Sequence, residues 1–139
     1  MRLIVGVACA CALLAASAAS AHHSLALFGT NAPVKLQGKV TRVDWRSPHT
    51  IIFLETQEAS GPTEWRVETV PNSWLINRAG WTVDSVKPGE QVTVELYAYT
   101  DPSIKYGFLL RVIKADGKVW NSPLDIGRRA QREAAERAQ

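Results

Sequence analysis

Val34-Lys35-Leu36-Gln37-Gly38-Lys39-Val40-Thr41-Arg42-Val43-Asp44-Trp45 is the stretch that decides the fold. Its first half alternates apolar and polar residues, the period-two signature of a strand with one buried face. Between Thr41 and Val43 the phase changes, as it does where a strand carries a bulge or bends sharply. A long strand bent in its middle can serve two half-sheets, which a small closed barrel asks of at least one strand. Arg46-Ser47-Pro48-His49 ends it, because proline donates nothing to a ladder and restricts the residue before it.

The chain beyond that turn repeats the strand pattern. Residues 50–56 read as a second strand, Ala59-Ser60-Gly61-Pro62 as a turn, and residues 63–70 as a third strand with Trp65 and Val67 on one face. Pro71-Asn72-Ser73 then opens a short helix running to Arg78, with Asn72 as the expected N-cap and Gly80 as the stop. Trp65 on its strand and Trp74 on this helix read as core. After the Lys87-Pro88-Gly89-Glu90 turn, residues 91–99 and 106–114 alternate again, and Asp116-Gly117 turns the chain into Lys118-Val119-Trp120. Three strands, one short helix and two strands is the order of an OB-type Greek-key barrel, whose helix plugs one end. A β-sandwich is the competing assignment, but it usually needs about seven strands. The expectation is therefore mainly β: a small OB-like Greek-key barrel of about five strands over residues 34–121, with one short helix after the third strand.

The flanks read differently. Arg2, the uncharged apolar run 3–16 and Ala19-Ser20-Ala21 have the form of an export signal with an A-x-A cleavage pattern, residues 1–21. A retained anchor is the alternative, although the run is shorter than the roughly 20 residues of a comfortable membrane span. No later segment is apolar enough to span. The expected location is periplasmic or secreted, with residues 22–33 as an N-terminal arm. Cys9 and Cys11 leave with the signal, so the processed chain has no disulfide and no thiolate ligand or nucleophile. The formal charge of +3 and the lack of a polybasic run in the barrel argue against nucleic acid as a partner. Residues 122–139 are rich in Arg, Glu and Ala without a large apolar stripe. They read as a charged, partly helical or disordered tail, with a partner-docking helix as the alternative.

Little in the chain supports catalysis. No glycine-flanked nucleophile elbow, phosphate loop or dinucleotide fingerprint is present. Asp44, Glu55, Glu64 and Glu68 read as the wet faces of strands. The expectation is no catalytic residue and no enzyme, since an activity would have to be metal-dependent.

Three histidines carry what chemistry remains: His22, His23 and His49. Cleavage before His22 would expose an α-amine and an imidazole on one residue, a chelate for a transition metal. The amine has an unperturbed pKa of about 8, so a copper ion displaces its proton at neutral pH. A third nitrogen from His23 or His49 completes a T-shaped or square-planar set of the kind Cu(II) favours. Cleavage before Ala21 instead places histidine third in the chain, a terminus that also binds Cu(II) or Ni(II). His49 sits in the turn between the first two strands. The arm from Ser24 to Pro33, about ten residues, can reach roughly 30 Å when extended. Trp45 and Trp81 are the candidates for a surface cleft that stacks on a flat ligand or sugar.

The opening His22-His23-Ser24, the Leu36-Gln37-Gly38-Lys39-Val40 strand and Asp44-Trp45 followed by Ser47-Pro48-His49 resemble a family of small exported bacterial proteins. Arg78, Gly80-Trp81-Thr82 and Lys87-Pro88-Gly89-Glu90 extend the resemblance, which runs from about His22 to Trp120. The family is a domain of unknown function, so the resemblance implies export and a single β-domain but no activity. Two functional readings stand. One is a periplasmic binding module with a Cu(II)-type site of His22, His23 and His49. The other is a metal-free OB-like module presenting Trp45 and Trp81 to an envelope protein, a peptide or a glycan.

Overall fold

The computed structural model describes residues 25–30 and 32–138. The expected signal segment, His22 and His23 lie outside the described residues. A 3-10 turn at Leu25–Leu27 precedes strands β1 (Val34–Asp44), β2 (His49–Glu58) and β3 (Gly61–Pro71), helix α1 (Asn72–Ala79), strands β4 (Gln91–Ala98), β5 (Tyr106–Lys114) and β6 (Val119–Asn121), and helix α2 (Pro123–Arg137).

β1 pairs antiparallel with β4 through residues 34–39 and with β2 through residues 38–44. Its register against β2 slips between Val40 and Arg42, so Thr41 is the extra residue of a bulge. The phase change read in the sequence is this bulge. It lets one strand cross from one half-sheet to the other. Hydrogen-bonded neighbours run β3-β2-β1-β4-β5-β6, and a short parallel pairing of β3 with β5 at residues 66–68 closes the barrel. The protein is thus mainly β, a closed five-stranded OB-type barrel with a short helix after its third strand and β6 added outside the closure.

Val40, Ile52, Leu54, Val67, Val94, Leu96, Leu109 and Val112 fill the interior and are fully buried. Leu75 of α1 joins that core beside Trp81 and Val86. Only one face of this two-turn helix can do so, because neighbouring positions are about 100° apart around its axis. Leu75 takes the inward position, and Trp74 is left 45 % exposed. The expectation that Trp74 is core is therefore corrected. Asn72 is also not the N-cap: Pro71 holds that position without a side-chain bond, and Asn72 Oδ1 accepts from Thr50 Oγ at 2.9 Å. Gly80 ends the helix in the left-handed conformation, φ 69°, which suits a residue without Cβ.

The C-terminal segment is a helix whose first turn belongs to the barrel. Ser122 caps it by accepting from the Leu124 amide, and both Ser122 and Asp125 are fully buried. Residues 129–138 face solvent. No helix among the described residues is long and apolar enough to cross a membrane.

Candidate functional site

The barrel closes weakly at its β3–β5 seam, and the N-terminal arm lies over it. Gly29 N donates to Ala98 O at 2.8 Å and Thr100 N donates to Leu27 O at 2.9 Å, so the arm pairs alongside the end of β4. Phe28 forms an isolated bridge with Tyr99. Its ring centroid stands 5.7 Å from those of Tyr99 and Tyr106 and 5.8 Å from that of Phe108. These spacings are those of favourable edge and tilted aromatic pairs. Beneath the arm is a hollow of about 110 Å³ walled by Leu25, Phe28, Tyr106 and Phe108, and Glu68 reaches into it.

Glu68 is the polar centre of this hollow. Its Oε2 accepts from the Tyr106 hydroxyl, and its Oε1 lies 3.4 Å from His49 Nδ1. The side chains of His49 and Glu68 are only 18 % and 15 % exposed. His49 is the first residue of β2, at the exit of the Pro48 turn, and its Nδ1 is 2.6 Å from the carbonyl of Thr69. A carbonyl only accepts, so Nδ1 carries a proton, and Nε2 is the nitrogen through which the neutral ring would bind a metal. Metal-ligating histidines are commonly oriented by such a bond from the other ring nitrogen. Among the described residues no group of three or more His, Cys, Asp or Glu side chains is placed to hold a metal ion. His49 and Glu68 are therefore an oriented pair among the described residues.

The tryptophan candidates part company. Trp81 is 1 % exposed, donates its indole N–H to Asn121 O at 2.8 Å and packs 5.7 Å from Trp120. Its place in a surface cleft is thus corrected: it follows the helix stop directly, and the chain carries it into the core. Trp45 is half-buried and packed against that core. The exposed indole is that of Trp74, with the Arg78 guanidinium 4.3 Å above its ring.

Sequence reasoning passed over Glu68, Tyr106 and Phe28. Glu68 looked like any carboxylate on an alternating strand. The signal that could have found it was the cross-strand position: β2 and β3 are adjacent antiparallel strands, so residues early in β2 stand beside residues late in β3.

Seam, arm and barrel together define a class of protein: a small OB-type barrel with a half-buried histidine–carboxylate–tyrosine cluster under its N-terminal arm. The chain belongs to the family of unknown function DUF6152, whose model matches residues 10–106. No curated protein and no solved structure matches the chain.

Proposed function

We propose that the protein is an exported binding module that holds a Cu(II)-type ion between its processed N-terminus and His49, and that it is not an enzyme. The observation that carries this reading is the position of Leu25, which walls the hollow that also contains Glu68, the neighbour of His49. His22 precedes Leu25 by three residues, a reach of about 10 Å. With cleavage before His22, the α-amine and ring Nδ1 of His22 would supply two nitrogens and His49 Nε2 a third. That N-rich set suits Cu(II), which heads the affinity order for divalent ions at such ligands. His23 is the alternative third donor. Glu68 and the Thr69 carbonyl would act on the ring of His49 from behind, and the carboxylate adds negative charge beside the metal's ligand.

The test is titration of the protein recovered after export with Cu(II), followed by calorimetry and electron paramagnetic resonance. Intact mass first establishes whether the chain begins at Ala21 or His22. We expect micromolar or tighter binding, weakened by His49→Ala and weakened about tenfold by Glu68→Gln, as removal of an orienting partner does. Affinity and spectrum unchanged in His49→Ala would reduce the site to the terminal peptide and overturn the reading.

The metal-free reading keeps one favourable observation, at another place than Trp45 and Trp81. Beside the seam, Glu64, Arg66, Tyr99, Lys105 and Tyr106 border a shallow concavity of about 520 Å³. Lys105 Nζ lies 5.4 Å over the Trp65 ring and 3.0 Å from Glu58. Such an aromatic shelf with charges of both signs is the kind of surface an OB-type barrel offers to a peptide or glycan. Partner binding that persists in chelator and fails in Lys105→Glu would favour it over the copper site.

A further inference from the structure

Beyond Leu25 of the arm, which also walls the hollow above, α1 and α2 flank an open groove of about 560 Å³. Val70, Trp74, Tyr97 and Leu124 give it an apolar lining, and Arg78 and Arg128 stand on it from the two helices. No carboxylate among the described residues lines it. The volume is in the range of small-molecule sites, which are typically about 300–1,000 Å³ and mostly apolar with a few placed polar groups.

The charges are unbalanced in a definite direction. Asp125, fully buried at the start of α2, meets Arg128 at 3.3 Å and Arg129 at 3.2 Å. One carboxylate thus answers two guanidiniums. Arg78 adds a third cation, held above the exposed face of Trp74. Arg128 Nε is a buried donor that has no acceptor among the described residues. A buried donor without an acceptor costs free energy that an arriving anion would recover. Apolar lining, surplus positive charge and an unanswered donor therefore coincide in one place.

We propose that this groove binds a single-chain amphiphile with an anionic head, of the fatty-acid class. The acyl chain lies along Val70, Trp74, Tyr97 and Leu124, and the carboxylate is held between Arg78 and Arg128. Arginine suits that task because its planar fork presents paired donors to a carboxylate. The copper reading shares only Leu25 with this groove, as a wall residue, and none of the residues given the acyl chain or the carboxylate is one of its donors.

The test uses 11-(dansylamino)undecanoic acid, below its critical micelle concentration, with the protein recovered after export. Energy transfer from tryptophan to the dansyl group gives Kd, and displacement by laurate confirms the class. We expect saturable one-to-one binding and a reduced transfer in Trp74→Phe, which keeps an apolar ring while the tryptophans of the barrel still contribute. Arg78→Gln, an exposed position, should bind about tenfold more weakly through loss of one charge-assisted hydrogen bond. Dodecyltrimethylammonium, with the same chain length and opposite charge, should fail to displace the probe. Equal displacement by laurate and dodecyltrimethylammonium would overturn the proposal. So would unchanged affinity in Arg78→Gln, or a groove closed by a second copy, seen in sedimentation as a dimer that Trp74→Ala dissolves.

Discussion

Glu95 is the most completely paired carboxylate inside the barrel wall. Arg111, opposite it on β5, donates from Nε and Nη2 to its two oxygens at 2.8 and 2.7 Å, and Lys35 adds a contact at 3.2 Å. These bonds, from Arg111 first, hold the Glu95 carboxyl below the usual carboxylate range against the cost of its desolvation. A carboxyl depressed in the folded state contributes its stability above the unfolded pKa, about 4.3, and loses it as pH falls through the folded value. Acid should therefore unfold the protein in part through this residue, and Glu95→Gln should flatten the slope of stability against pH below about 4. Arg111→Met leaves the carboxylate buried with Lys35 alone and should cost about 3 kcal/mol at pH 7. Urea denaturation at pH 7 and pH 3 measures both, and an acid slope unchanged in Glu95→Gln would sink the assignment. At this scale sequence legibility was uneven. Trp65 is buried as expected, whereas Trp74 and Trp81 exchange the roles expected of them. Both are apolar and lie close in the chain. Which of them faces inward depends on how a two-turn helix leans on the barrel, and no residue type records that.

β1 was legible almost entirely, bulge included, because a bulge displaces the apolar period and the period is visible in the residues. What the letters do not display is where two strands touch closely. Gly38 is paired on one side with Thr56 of β2 and on the other with Val92 of β4, at the point where β1 passes between half-sheets. A Cβ there would stand 2.2 Å from the carbonyl oxygen of Glu55 and 3.1 Å from Leu54 Cγ. Backbone cannot yield as a flexible side chain can, so Gly38→Ala should destabilise by about 3 kcal/mol, the upper end of ordinary overpacking. Gly80 gives the contrast. Its φ of 69° strains an alanine, but nothing lies within 4 Å of the added carbon. Gly80→Ala should therefore cost only about 1 kcal/mol. Chemical denaturation of the two variants ranks them, and an equal loss would show that the β1 crossing is looser than its geometry. The candidate site follows the same logic: His49 stood out as a rare residue, but Glu68 acquires its meaning from the β2–β3 register and the arm above it.

Across the whole molecule the least legible part was the C-terminal segment, since its alanines and arginines describe a solvated helix correctly for residues 129–138 and say little about its first turn. That turn is decided by a few residues. Ser122 donates its amide to Leu110 O at 2.7 Å, Leu124 packs on the core, and Asp125 is sealed beneath two arginines. Helix α2 should consequently melt with the barrel in one transition. A chain ending at Ser122 loses the Leu124 contact and the cover that Arg128 lays over the Tyr97 ring, together worth about 2–3 kcal/mol at the usual return for buried apolar area. For a domain of this size that corresponds to a fall in Tm of about 10 °C. Calorimetry of the full and shortened chains decides the matter: one transition in each, the second lower, is the expected result. The shortened chain should also lose the dansyl fatty-acid probe completely, because Arg128 and one wall of the groove are gone, while its Cu(II) titration stays as in the full chain. An unchanged Tm would mean that α2 rides on the barrel without stabilising it. A copper affinity that fell with the helix would mean that Leu25, a wall of both the groove and the hollow, couples the two, and that the proposed sites are one.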